Sequence, residues 1–202
     1  MTGGEWPERS IEDLEVILRR VSSQGEPEDA EYSDTQKLKP GSVMVLFTPT
    51  SEGPSIVLTR RSQTVRTHRG EIAFPGGKPE LEDKSSVDTA LRETEEEIGI
   101  SRSDIDVWGE LPAVTTVSSG FRLDIHTGLL KKSPGFQPQP NEVSEVFTTP
   151  VSHLDNPVNS RSERIMRNGQ ILDRPSYSYN GRVIWGATAR IIDQMLGILH
   201  TS

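Results

Sequence analysis

The chain has 202 residues, 32% hydrophobic and 26% charged, which fits one ordinary domain, with or without a tail, and a proper core. It has no cysteine, so disulfides, thiolate catalysis and zinc–thiolate sites are excluded, and a reducing cytoplasm is the expected setting. A formal charge of −8 argues against a duplex or a long RNA as partner, and any anionic substrate must be met by local positive charge or by metal.

Residues 1–10 read as a loose end, with no basic start followed by an apolar block. No run is long enough to cross a bilayer as a helix, so neither secretion nor membrane insertion is expected. From Ile11 to Ser22 the apolar positions Ile11, Leu14, Ile17, Leu18 and Val21 have helical spacing, and Ser10 with Asp13 forms a capping pair. An amphipathic helix packed on the main domain follows from this. Residues 23–40 are polar and acidic and read as a linker, so residues 1–40 are expected as helix and linker and 41–202 as the main domain.

Ser42–Phe47 and Ser55–Thr59 are β-rich runs around a turn-forming segment, and a hairpin is expected. Glu71–Phe74 is a short strand candidate before a break at Pro75-Gly76-Gly77. A helix is expected from about Ser86 to Glu97, with Val87, Ala90 or Leu91, Thr94 and Ile98 on its apolar side and Gly99 as its stop. Val107–Val117, Phe121–Leu130 and Glu142–Thr149 read as strands, with a short helical turn starting at Pro150. Arg167-Asn168-Gly169 and Asn180-Gly181 signal two further hairpins, and Ala187–Leu199 closes the chain as a helix. Core packing is the expectation for Trp185, while Phe121, Tyr177 and Tyr179 are candidates to stack on a base. A mixed β-sheet with helices on both sides, an α/β/α sandwich, is the natural assembly.

The chemistry is concentrated between Val57 and Ile100. Glu93, Glu96 and Glu97 are spaced i, i+3, i+4, which puts three carboxylates on one helical face, roughly opposite the apolar side. Alone, such a run reads as a solvated acidic face; together, its oxygens suit hard divalent cations such as Mg²⁺. Gly76-Gly77 allows backbone to approach a metal or phosphate closely. Arg92 is placed to hold one of the glutamates by a bidentate contact.

Arg92–Ile100 reads RETEEEIGI, and with Gly76-Gly77 upstream it resembles the Nudix box, the signature of Nudix hydrolases. Thr94 takes an apolar place of that pattern. One extra residue in the loop restores Gly77 and puts Asp83 at the front acidic position, where it is expected to shape the loop. The longer loop and the upstream run Val57-Leu58-Thr59-Arg60-Arg61-Ser62, then Arg66, Gly70 and Phe74-Pro75-Gly76-Gly77, resemble a subgroup similar to coenzyme A pyrophosphatases. One departure lies at Phe121–Gly128, FRLDIHTG, where that subgroup more often has a proline and less charge.

The resemblance implies a Nudix-type fold and an Mg²⁺- or Mn²⁺-dependent hydrolase that splits the pyrophosphate of coenzyme A or acyl-CoA into 3′,5′-ADP and (acyl-)4′-phosphopantetheine. Another nucleoside diphosphate derivative, such as ADP-ribose, is the alternative substrate, and a non-catalytic binding module the remaining one. It implies Glu93, Glu97 and Glu96 as metal ligands, Glu97 or Glu142 as the proton acceptor, and Arg92 as part of the catalytic set. Arg60, Arg66 and Lys78, with Gly76 and Gly77, are the expected substrate contacts. A small molecule is the expected partner, with no nucleic acid and no membrane, and a homodimer is compatible with it.

Overall fold

The computed structural model describes residues 9–21, 38–65, 67–116, 120–131, 135–167 and 170–201. Arg66, most of the expected linker, the turn at Ser118-Ser119 and that at Asn168-Gly169 lie outside these.

Helix α1 (Ile11–Leu18) starts with the expected capping box: the Ser10 hydroxyl accepts from the Asp13 N–H, and the Asp13 carboxylate accepts from the Ser10 N–H. It ends earlier than its periodicity suggested, at the Arg19 cap, where Arg19 reaches across to the Asp106 carboxylate and the Val107 carbonyl. Leu14 and Leu18 are fully buried in the main core, so the helix packs on its own domain.

The expected hairpin forms as β1 (Lys39–Thr50) and β2 (Gly53–Arg61), with pairing carried through Thr50 and Gly53. The turn shrinks to two residues because the Thr50 hydroxyl ties itself to the Gly53 carbonyl and the Ser55 hydroxyl. Strand β1 also starts at Lys39, inside the stretch expected as linker. Then come β3 (Ile72–Ala73), β4 (Gly76–Gly77), α2 (Ser86–Ile98), β5 (Ile105–Thr115), β6 (Phe121–Leu130) and β7 (Val143–Pro150). These seven strands form one mixed sheet, in which β1 and β6 run parallel and the other pairs antiparallel. The sequence suggested a break at Pro75-Gly76-Gly77. The structure instead pairs Gly76 with Val43 and Gly77 with Ser42 as a two-residue strand.

Helix α2 covers one face of the sheet. The short α3 (Val151–Asp155) and the terminal α4 (Gly186–Thr201) cover the other, beside α1. Successive residues of β1 divide between these layers: Met44 and Leu46 pack under α2, Val45 and Phe47 under α1 and α4. That is why this strand reads as an unbroken apolar run rather than an alternating one. The expected α/β/α sandwich is therefore the observed architecture.

A second, three-stranded antiparallel sheet holds β8 (Ser160–Arg167), β9 (Gln170–Tyr179) and β10 (Arg182–Ile184). Both expected hairpins are present in it. Here the aromatic assignments change. Ile184 takes the fully buried position, so its neighbour Trp185 points outward and is 54% exposed, not in the core. Tyr177 is buried and donates its hydroxyl to Asp193, which removes it as a stacking platform. Tyr179 stacks on Phe147 and meets the edge of His153.

Candidate active site

The site is assembled between β4 and the last two turns of α2. Gly76 has φ 154, and a Cβ there would stand 2.2 Å from the Ser42 carbonyl oxygen, so only glycine fits this close pairing. At Gly77 the obstacle is different: a Cβ would lie 2.3 Å from Oε1 of Glu93. The Gly76 N–H donates to Oε2 of Glu97 at 3.3 Å. The two carboxyls, one helical turn apart, therefore both lie against bare backbone.

Their electrostatics are out of balance. Glu97 is 3% exposed. Burial pushes its pKa up to about 8, outweighing Arg61, whose Nη1 stands 3.7 Å from Oε1, and the Gly76 N–H; Glu93 and Glu142 push it further the same way. Burial also raises Glu93, against the pull of Arg92, and Glu96 and Glu142 add repulsion. The spacing suggested that all three glutamates lie opposite the apolar face. Instead the helix turns Glu97 inward and leaves the Glu96 side chain 57% exposed. Inward placement follows from β4, which offers a backbone donor and no side chains where a larger residue would exclude the carboxyl.

Arg92 does not make its bidentate contact with a glutamate. Nε and Nη2 grip the two oxygens of Asp83 at 3.1 and 3.0 Å, while Nη1 reaches Glu93 and Glu96 at 3.2 and 3.1 Å. Nη2 also donates to the Lys78 carbonyl at 2.9 Å. Asp83 further accepts from the Glu80 N–H and the Thr89 hydroxyl. The Arg92 hydrogen bonds, foremost, hold Asp83 well below the usual carboxylate range. Asp83 thus ties the lengthened loop to α2, in keeping with its expected role. Thr94 is fully buried without loss, because its hydroxyl donates to the Ala90 carbonyl at 2.7 Å.

The basic segment divides. Arg60 and Arg61 are consecutive on β2, so strand alternation sends their guanidiniums to opposite faces; the register irregularity beside them skips Ser144 on β7. Arg60 Nε stands 3.3 Å from Glu145, and it is Arg61, given less weight in the sequence, that faces Glu97. Lys78 is exposed, beside Phe121. Glu142 is exposed at the entry to β7, its carbonyl accepting from the Ser62 N–H at 2.7 Å, and its charge is felt at both Glu93 and Glu97. In the departing run at Phe121–Gly128, the added charges are locally satisfied: Arg122 pairs with Asp124, and His126 contacts the Ser86 hydroxyl at 3.1 Å.

Among the described residues, no three His, Asp or Glu side chains form a ready metal cluster. The donor set nevertheless fits a hard divalent cation. Glu93 and Glu97 are oxygen donors close in space, both raised by burial, and together short of positive charge. Two signals missed in the sequence are Arg61, which leaves β2 on the side of Glu97, and Lys39, which sits in the strand rather than the linker.

Comparison with known proteins agrees with this architecture. The NUDIX domain family matches residues 37–169. The chain is 38% identical over 142 residues to the "uncharacterized Nudix hydrolase NudL" of Photorhabdus laumondii, covering 70% of this chain and 75% of that protein. The protein of the same description from Pectobacterium atrosepticum is 37% identical over 142 residues, covering 70% and 73%. Among solved structures, a MutT/nudix family protein from Enterococcus faecalis superposes with a TM-score of 0.56 at 17% identity, covering 96% of this chain and 75% of that one. At that identity the likeness concerns the fold alone.

Proposed function

The chain belongs to the Nudix hydrolase family, and from that premise we propose that it hydrolyses the pyrophosphate bond of coenzyme A or acyl-CoA, giving 3′,5′-ADP and (acyl-)4′-phosphopantetheine. The observation that carries the hydrolase site is the buried, undercompensated Glu97 carboxyl held beside Glu93 against the Gly76-Gly77 backbone. The substrate class rests on the two adjoining motifs between Val57 and Ile100. The extra loop residue belongs to a built unit, with Asp83 locked by Arg92.

Glu93 and Glu97, with Glu96 at the rim, would hold Mg²⁺ or Mn²⁺. A divalent ion bound there neutralises phosphate oxygens and acidifies a water. In the reaction a water oxygen bonds to one phosphorus, the P–O–P bridge breaks at that phosphorus, and the bridging oxygen leaves with the other phosphate. The water's proton goes to a carboxylate. Glu97 takes that role, with Glu142 as the second candidate because its charge reaches the same pocket. Arg61 on β2, together with Arg66, supplies positive charge for the diphosphate; Arg60, held beside Glu145, and Lys78, after β4, are contacts for other parts of the substrate, and Arg92 keeps loop and helix in register for the glutamates.

The test is incubation with coenzyme A and Mg²⁺, following 3′,5′-ADP and 4′-phosphopantetheine. Cleavage of ADP-ribose or a dinucleotide in preference to coenzyme A moves the substrate to another nucleoside diphosphate derivative. Tight binding of these compounds without turnover, metal present, identifies a binding module instead.

A further inference from the structure

Three side chains meet at the start of β1 and β6 with no carboxylate partner among the described residues. Lys39 and Phe121 are register partners at the starts of β1 and β6. Lys78 follows Gly77 on β4. The missing Cβ of Gly77 would point at Glu93 on the α2 side, so strand alternation sends the Lys78 side chain to the opposite face. Between them lies Gly41, paired with Leu123; a Cβ there would stand 3.4 Å from Cδ1 of Phe121 and 2.9 Å from Cδ2 of Leu123. The bare backbone gives room for the Leu123 side chain, and the Phe121 ring packs beside it. The Lys78 and Lys39 ammoniums stand 5.5 and 5.8 Å from the centre of that ring.

Both lysines are exposed, and among the described residues neither enters an ion pair. The ring face attracts each cation weakly. Among the described residues no carboxylate offsets the two ammoniums that this ring gathers, and an anion reaching both would do so. The chain as a whole is acidic, so this local excess of positive charge stands out from its surface. It begins one residue beyond the backbone that touches Glu93.

We propose that Lys39, Lys78 and Phe121 form a second anion subsite, which takes a phosphomonoester on the nucleoside half of the substrate. It distinguishes a 3′-phosphorylated nucleotide from its 3′-hydroxyl counterpart. This deepens the proposed function and rests on that reading for its substrate.

The experiment compares kcat/KM for coenzyme A and for 3′-dephospho-coenzyme A. Wild type is expected to prefer coenzyme A by roughly tenfold, the scale of a charge-assisted contact. Lys39→Gln and Lys78→Gln should each bring that ratio toward one, chiefly through KM. Lys131→Gln, the same charge change beyond the far end of β6, should keep the wild-type ratio. An unchanged ratio in the first two variants, or an equal fall in the third, overturns the subsite. Absence of turnover on both compounds counts against the proposed function alone. The subsite then stands or falls on metal-free calorimetry with 3′,5′-ADP and 5′-AMP. Wild type should bind the bisphosphate more tightly and the two variants should not; equal binding of both ligands by wild type overturns the inference.

Discussion

Two arginine–carboxylate clusters in this molecule use the same chemical groups with opposite balance. On α2, the Arg92 guanidinium serves Asp83, Glu93 and Glu96, while among the described residues the cation facing Glu97 is Arg61 at 3.7 Å. On β7, two guanidiniums, Arg182 and Arg60, share the single carboxylate of Glu145. The consequence is visible in the acids. Glu93 and Glu97 are raised, mainly by burial, whereas the hydrogen bond from Arg182 lowers Glu145. At Glu145 the carboxylate is fully compensated by its two cations. In the α2 cluster burial outweighs the cations that face Glu93 and Glu97, as the proposed cation site requires, and that difference separates a candidate catalytic centre from a structural ion pair.

The contrast is sharpest at Glu97. Glu97→Gln should cost roughly 10²–10⁴-fold in kcat, the range for loss of a proton-transfer group, while the metal-free protein stays folded. Steady-state turnover with circular dichroism checks this, and near-normal turnover would refute the role given to Glu97. Gly77→Ala comes next. Its Cβ displaces only the mobile end of Glu93, so activity should fall by one to two orders of magnitude, roughly the loss caused by a misplaced catalytic group, with little change in Tm. Gly76→Ala should behave in the opposite sense, losing stability first, because its Cβ meets the Ser42 backbone at a φ that disfavours side chains.

Acidity offers a third test. The Glu97 carboxyl ionises near 4.5 when unfolded and near 8 when folded without metal. Its stabilising contribution is therefore whole below pH 4.5 and is lost as pH rises toward 8, at a limiting slope of about 1.4 kcal/mol per pH unit. Urea titrations in EDTA should show this decline, and Glu97→Gln should flatten it. Mg²⁺ should restore stability most at the alkaline end, where the cation need not displace a proton. The smallest effect is expected in the satisfied cluster: Glu145→Gln removes a partly exposed pairing worth about 0–1 kcal/mol. Its Tm and turnover should stay close to wild type, and a large loss of turnover would erase the distinction between the two clusters.

Much of the architecture was legible because it is written in short-range patterns. Helical spacing placed α1, α2 and α4, the Ser10–Asp13 pair marked an N-terminus, and Asn180-Gly181 marked a turn. The motifs in Val57–Ile100 located the candidate site and its family. Less legible were features that depend on which neighbour arrives. Trp185 reads as core until Ile184 claims the inward position. Arg92 reads as a partner for glutamate until the loop brings Asp83 to it.

The sequence by itself determined the spacing of Glu93, Glu96 and Glu97, the two glycines before them, and the loop one residue longer than the common pattern. Tertiary structure decided what those residues face. Pairing of Gly76 and Gly77 with β1 buried Glu97 against an N–H, the pairing of β2 with β7 set Arg60 against Glu145 and left Arg61 to face Glu97, and the pairing of β1 with β6 brought Lys39 beside Phe121. Local periodicity fixes which way a side chain leaves its own helix or strand. Only the long-range pairing of strands decides which charges it meets there, and so how it titrates and what it can bind.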